Sequence, residues 1–270
     1  MKKIIGLIMS LMILTIPLSN VLAINAGQEM VAIGSNLSDD QRKTVYDYFG
    51  KEEGDVNEVD ITIDDEKKYL ENVDPSRIGS KSLSSIYILT RDKGEGLDIE
   101  LHNIDWLTKD IYENALTTVG ITDAKIVIAS PINVSGTAAL MGVYKAYEQM
   151  SGETVPEETK EAATEELVTT GELSDDIGSE DASNLVNELK LSMDDIKDAD
   201  DSTVKEKINE IANEKDITLT DEQVEQLLKL ARNLENVDLS SVSEQLQNIS
   251  DKFNDSGLWD KIVNFVKDLF

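Results

Sequence analysis

The sequence predicts an α/β (α+β) mixed sheet covered by helices, followed by an all-α acidic C-terminal region. Three observations predict it. Strand-like and helix-like patterns alternate between residues 28 and 150. Some strand-like runs are apolar on both faces and others alternate, so the sheet has both central and edge strands. From Gly152 onward no strand-like run recurs, and acidic residues become denser. Residues 24–150 carry 23 acidic and 12 basic side chains, a net of −11, whereas residues 151–270 carry 31 and 11, a net of −20. The expected organisation is a signal peptide over 1–23, an α/β domain over 24–150 and an acidic helical domain over 151–270, with 151–155 as boundary or hinge.

The elements follow in order. "MVAIG" (30–34) is a short apolar strand. "SDDQ" (38–41) is a capping box opening a helix whose apolar positions are Val45, Tyr46, Tyr48 and Phe49. "VNEVDITID" (56–64) alternates, with Val59, Ile61 and Ile63 on one face, as a one-sided or edge strand does. "DDEKKYLENV" is a short helix ending before Pro75. "SLSSIYILT" (82–90) is apolar on both faces and reads as central. The turn "RDKGEG" (91–96) then leads into the alternating "LDIELHN" (97–103), which predicts a hairpin. Leu107, Ile111, Ala115 and Val119 share one face of a helix stopped by Gly120. "AKIVIAS" (124–130) is continuously apolar and central; it ends at Pro131, before a Ser-Gly pair and another helix. Five or six helices follow. The first, from Pro156, is expected to stop at Gly171, and capping boxes stand at Thr220–Gln223 and Ser241–Glu244.

The ends and the charge bound the function. Lys2 and Lys3 precede a thirteen-residue apolar run, Ile4–Ile16, and Val21-Leu22-Ala23 fits a signal-peptidase site. As a helix that run reaches about 20 Å, short of the ~30 Å hydrocarbon core, which predicts cleavage after Ala23 and export. The chain has no cysteine, so no disulfide, thiol nucleophile or thiolate metal site is available. The formal charge of −29 argues against nucleic acid as a partner, because such binding draws on Lys and Arg at phosphates.

Four stretches carry a family resemblance: "RIGSKSLSSIYI" (77–88), "YENALTTVGITDAKIVIASPINVSGTAALMGVYKAYE" (112–148), "ETVPEETKEAATEELVTTGEL" (153–173) and "LTDEQVEQLLKLARNLENVDL" (219–239). With the N-terminal signal they resemble the YpuA-type family of secreted bacterial proteins, whose domain of unknown function is DUF1002. The resemblance implies an exported bacterial protein and transfers no reaction, cofactor or catalytic residue.

The strand-to-helix stretch Ser130–Thr137 is the candidate ligand site, through Ser130, Asn133, Ser135, Gly136 and Thr137. Most other helices place acids in their first turn; this one has Gly136, Thr137, Ala138 and Ala139, so its positive end is uncompensated and suits a small anion or phosphate. The competing reading is packing. Ala138, Gly142 and Ala146 recur every fourth residue, giving a flat face for close approach to the sheet, with Ser135 as N-cap. The stretch lacks the lysine of a P-loop and the three glycines of a dinucleotide fold.

Other candidates are weaker. His102, the one histidine, shares a polar strand face with Asp98 and Glu100 and reads as a solvated residue. Ser202 and Lys205 match Ser-x-x-Lys by spacing alone. "DDIKDADDS" (194–202) is a poor match to a calcium loop, since counting from Asp198 the glycine position holds Thr203 and the twelfth holds Asn209. No metal or cofactor is expected. The last helix, Gly257–Phe270, has a wide apolar face including Leu258, Trp259, Ile262, Phe265, Val266, Leu269 and Phe270. Docking on the protein itself, a partner and a membrane surface all remain readings of it; Lys261 and Lys267 merely offset Asp260 and Asp268, which disfavours the membrane. The leading expectation is a non-enzymatic extracytoplasmic binding or structural protein; the alternative is a small-anion or phosphate receptor, or an enzyme, using Ser130–Thr137.

Overall fold

The computed structural model describes residues 25–70 and 80–253. The predicted signal segment and the helix predicted over 257–270 lie outside them. Five strands form one mixed sheet: β1 (Glu29–Gly34), β2 (Glu58–Ile61), β3 (Ser85–Thr90), β4 (Leu97–Ile104) and β5 (Ala124–Val134), in the order β2-β1-β3-β5-β4. β1 and β2 are parallel, as are β4 and β5, and β3 runs antiparallel to both of its neighbours. The mixed sheet covered by helices is thus the observed architecture.

The predicted hairpin does not form. β3 and β4 flank β5 instead of pairing. β5 is buried on both faces from Ile126 to Ala129 and needs a neighbour on each side, whereas β4 has a polar face and takes the edge. The connecting turn wraps around the start of β5. The N–H groups of Gly94 and Gly96 donate to Asp123 Oδ1 at 2.8 and 2.9 Å, and the Arg91 N–H to the Asp123 carbonyl at 2.9 Å.

Helix α1 (Asp39–Phe49) covers one face, packing Val45, Tyr46 and Phe49 on Val31, Ile33, Tyr87, Val127 and Ala129. Its capping box, Ser38 with Gln41, is as expected. The other face takes α2 (Ile63–Tyr69), α3 (Lys109–Thr118) and α4 (Thr137–Ser151). Gly142 of α4 sits so close to the sheet that a β-carbon there would lie 2.5 Å from Ile61 Cδ1 and 3.2 Å from Ala32 Cβ. Ala138 and Ala146 are buried on the same side, so the flat helix face works as a packing surface.

The second half is helical throughout the described residues: α5 (Glu157–Ile177), α6 (Ser179–Leu191), α7 (Met193–Ile196), α8 (Asp201–Glu214), α9 (Asp221–Leu234) and a helix over 243–253. α5 passes straight through Gly171, where the sequence predicted a stop. A β-carbon at 171 would lie 2.8 Å from the Trp106 indole, so this glycine admits the ring against the helix. The expected box at Ser241 is replaced by a 3-10 turn (Ser240–Val242), with Asp238 accepting the Ser240 N–H at 3.0 Å.

α5 serves two cores. Ala163, Leu167 and Val168 join the sheet-side core; Ala162 and Leu173 join the core of α6, α8 and α9. Between them lies an ion pair with both side chains fully buried: Lys190 Nζ donates to Glu166 Oε1 at 2.7 Å. Thr118 Oγ1 donates to Glu166 Oε2 at 2.5 Å, Lys190 Nζ reaches the Asn114 carbonyl at 3.0 Å, and Asn114 Nδ2 donates to the Ser183 carbonyl at 2.7 Å. Burial pulls the Lys190 pKa below its ordinary value, while Glu166 beside it acts to hold it up. The network ties α3 of the sheet layer to α5 and α6. Lys190→Met alone leaves Glu166 buried without its cation and is expected to cost about 3–5 kcal/mol in urea unfolding. The double change Glu166→Leu with Lys190→Met is expected to recover most of that loss, because it removes the stranded charge.

Candidate functional site

The parallel strands β1, β2, β4 and β5 end on one side of the sheet, where α4 begins. β5 does not stop at Pro131; it runs to Val134, and Ile104 of β4 pairs with Val134 beyond an irregularity at Asn103. β3 begins opposite Ala129, so the proline falls where β5 has lost that neighbour and its missing N–H breaks no β3 bond. Asn103, at φ +57°, donates through Nδ2 to the Ser130 carbonyl at 2.7 Å. The expected loop is therefore two residues, Ser135 and Gly136.

Gly136, not Ser135, is the N-cap of α4. Its φ is +100°, and no side chain caps the helix. The glycine is required twice over: the backbone is left-handed, and a β-carbon would lie 2.4 Å from Tyr112 Oη and 2.7 Å from Ile104 Cγ2. Tyr112, fully buried on α3, donates its hydroxyl to the Gly136 carbonyl at 2.7 Å. Burial drives the Tyr112 pKa far above its ordinary value, so the hydroxyl remains a donor.

Every other α-helix among the described residues has an acid in its first turn; α4 has none. The carboxyl beside it comes from α2. Glu66 is 1% exposed, and its Oε2 accepts from Thr137 Oγ1 at 3.4 Å. Its Oε1 is buried with no hydrogen-bond partner. Desolvation raises the Glu66 pKa to about 8; Asp65 next to it adds to the rise, and Thr137 opposes it.

The sequence-predicted residues are placed as follows. Ser130 is fully buried, with Oγ unpartnered. Asn133 is exposed, and Ser135 is half-buried with Oγ 3.5 Å from Thr137 Oγ1. Gly136 and Thr137 are buried. The fold thus brings Gly136 and Thr137 together with Tyr112 and Glu66, two residues that the sequence reading did not select. Glu66 had one legible sign: it stands three residues after Ile63 and four before Leu70, on the inward stripe of α2.

The other candidates find local partners. His102 Nε2 lies 2.9 Å from Glu100 Oε1, and its ring stacks on Tyr48 at 4.4 Å. Asp200 caps α8 by accepting the Thr203 N–H at 2.9 Å, and Lys205 pairs with Glu225. A shallow hollow on α8 is lined by Glu206, Asn209, Glu210, Asn213 and Glu214, all from one helix face, so no second element closes around it.

The sequence profile of the family described as "Protein of unknown function (DUF1002)" matches residues 33–250. The Bacillus subtilis (strain 168) protein described as "Uncharacterized protein YpuA" is 35% identical over 274 residues, which span 99% of this chain and 94% of that relative. No solved structure matches the chain.

Two outcomes follow from the geometry. Gly136→Ala meets both a left-handed backbone and the Tyr112 hydroxyl, and is expected to lower stability by about 2–4 kcal/mol in urea unfolding. Glu66 holds its proton in the folded state up to about pH 8, against an ordinary value of 4.5. Below the lower value both states are protonated. As pH rises between the two, the unfolded chain ionises first and folding is opposed by up to ~1.4 kcal/mol per pH unit. Glu66→Gln is expected to remove that component of the decline, read as melting temperature against pH.

Proposed function

The chain belongs to the DUF1002 family, and we propose that it is an exported, non-enzymatic binding or structural protein of the cell envelope. Three features support the reading. The N-terminal pattern of Lys2, Lys3, the apolar run to Ile16 and Ala23 is that of a cleaved export signal. The acidic surface favours solubility and disfavours nucleic acid. The sequence 257–270 spaces Leu258, Trp259, Ile262, Phe265, Val266, Leu269 and Phe270 as an amphipathic partner-binding segment does.

The observation that carries the reading is the buried Glu166–Lys190 pair between the sheet layer and the helical half. Both residues belong to the helical half, and their bonds to Thr118 and Asn114 of α3 join it to the sheet layer where a hinged receptor would need the two to part, which favours a rigid body that presents a binding segment. The partner is an envelope protein in this reading. In-cell crosslinking of the whole chain and of a chain lacking residues 257–270 tests it. The expected result is loss of the crosslinked envelope protein with the melting temperature unchanged. Equal stability with the same crosslinked set would show that the end segment is not the binding element.

A further inference from the structure

The first turn of α4 leaves backbone N–H groups pointing out of the helix start, and no side chain caps them. The surrounding residues shut out bulk water: Thr137 is 2% exposed and Ala138 4%, and Gly136 is buried. Facing this turn is the independent feature, the Glu66 carboxyl. One of its oxygens already accepts from Thr137; the other is buried and unpartnered. A buried polar atom left unsatisfied costs on the order of 1–3 kcal/mol, so an occupant that satisfies it is favoured. Ser130 Oγ, also buried and unpartnered, lies at the same end of the sheet, one residue beyond the last β3–β5 pair.

We propose that this enclosed position holds a small monoanion of the chloride or formate class, received by the Thr137 and Ala138 backbone N–H groups and by the Glu66 carboxyl. The proton assignment is consistent. Oε2 of Glu66 accepts from Thr137, leaving the protonated Oε1 to donate to the anion. Burial supports the acid form, keeping the proton on up to about pH 8. A cation is disfavoured, because it would meet the positive end of a fifteen-residue helix. Among the described residues the other charged or titratable groups nearby are Asp65, paired with Lys145 of α4 at 2.5 Å, and Tyr112, whose proton is engaged with Gly136. The alternative occupant is an ordered water, which would serve the same groups without charge.

Titration of the 15N-labelled protein with sodium formate and with sodium chloride, followed by amide shifts, separates the two. The expected result at neutral pH is a saturable shift centred on Gly136, Thr137 and Ala138. Above about pH 8 the affinity falls close to tenfold per pH unit, since binding then requires Glu66 to take up a proton. Glu66→Gln keeps a neutral donor; it is expected to retain binding and lose the pH dependence, and Glu66→Ala to lose binding. Absence of a saturable shift with either salt, or an unchanged shift in Glu66→Ala, would overturn the proposal and leave water as the occupant. The outcome is independent of the envelope-partner reading, which rests on residues 257–270.

Discussion

The Glu166–Lys190 pair constrains the whole structure because both charges lie beyond the reach of solvent. Two buried charges are tolerable when each is matched and hydrogen-bonded, and each here is held by more than its partner. Thr118 serves the carboxylate, and the Asn114 carbonyl serves the ammonium. These groups come from three helices of both halves, so the chain can satisfy them only when sheet layer and helical half are docked. Apolar contacts alone would allow sliding; a network of directed bonds fixes the register. Surrounding contacts reinforce it: Thr108 Oγ1 lies 2.5 Å from Ser179 Oγ, and Lys252 reaches Asp110 and Glu113 at 2.9 and 3.0 Å.

The same logic in miniature shapes the start of α4. Gly142 and the flanking alanines bring that helix down onto the sheet, which buries its first turn. A carboxylate on the turn itself would then be desolvated within the packing surface. Glu66 approaches from α2 instead, and its burial favours the neutral acid. Packing and ligand readings of this stretch therefore meet: the small residues explain the close approach, and the close approach creates the enclosed polar position.

What could be read in the sequence was what local pattern determines. The boxes at Ser38 and Thr220 formed as written, as did the apolar face of α3; on α1 Val45, Tyr46 and Phe49 are buried as expected, but Tyr48 is exposed and stacks on His102 instead. The even alternation at β2 marked an edge strand, though Thr62 and Asp65 cut it short by capping α2. The misreadings share a cause. "RDKGEG" looks like a hairpin turn, but Asp123, some thirty residues on, organises it. Gly171 looks like a helix stop until Trp106 packs against it. Gly136 takes the cap from Ser135 because Tyr112 binds its carbonyl. Glu66, Glu166 and Lys190 resemble dozens of other charges in so acidic a chain. The sign that separates them is position on an inward-facing stripe, which acquires meaning only once the packing partners are known. The most specific part of the family resemblance, 112–148, spans α3, β5 and α4, the elements that build the candidate site.

The central claim is that the two halves are one cooperative body. Scanning calorimetry of the protein tests it most directly. The account predicts a single transition whose calorimetric and van't Hoff enthalpies agree. Two resolved transitions, one for the sheet domain and one for the helical half, would contradict it.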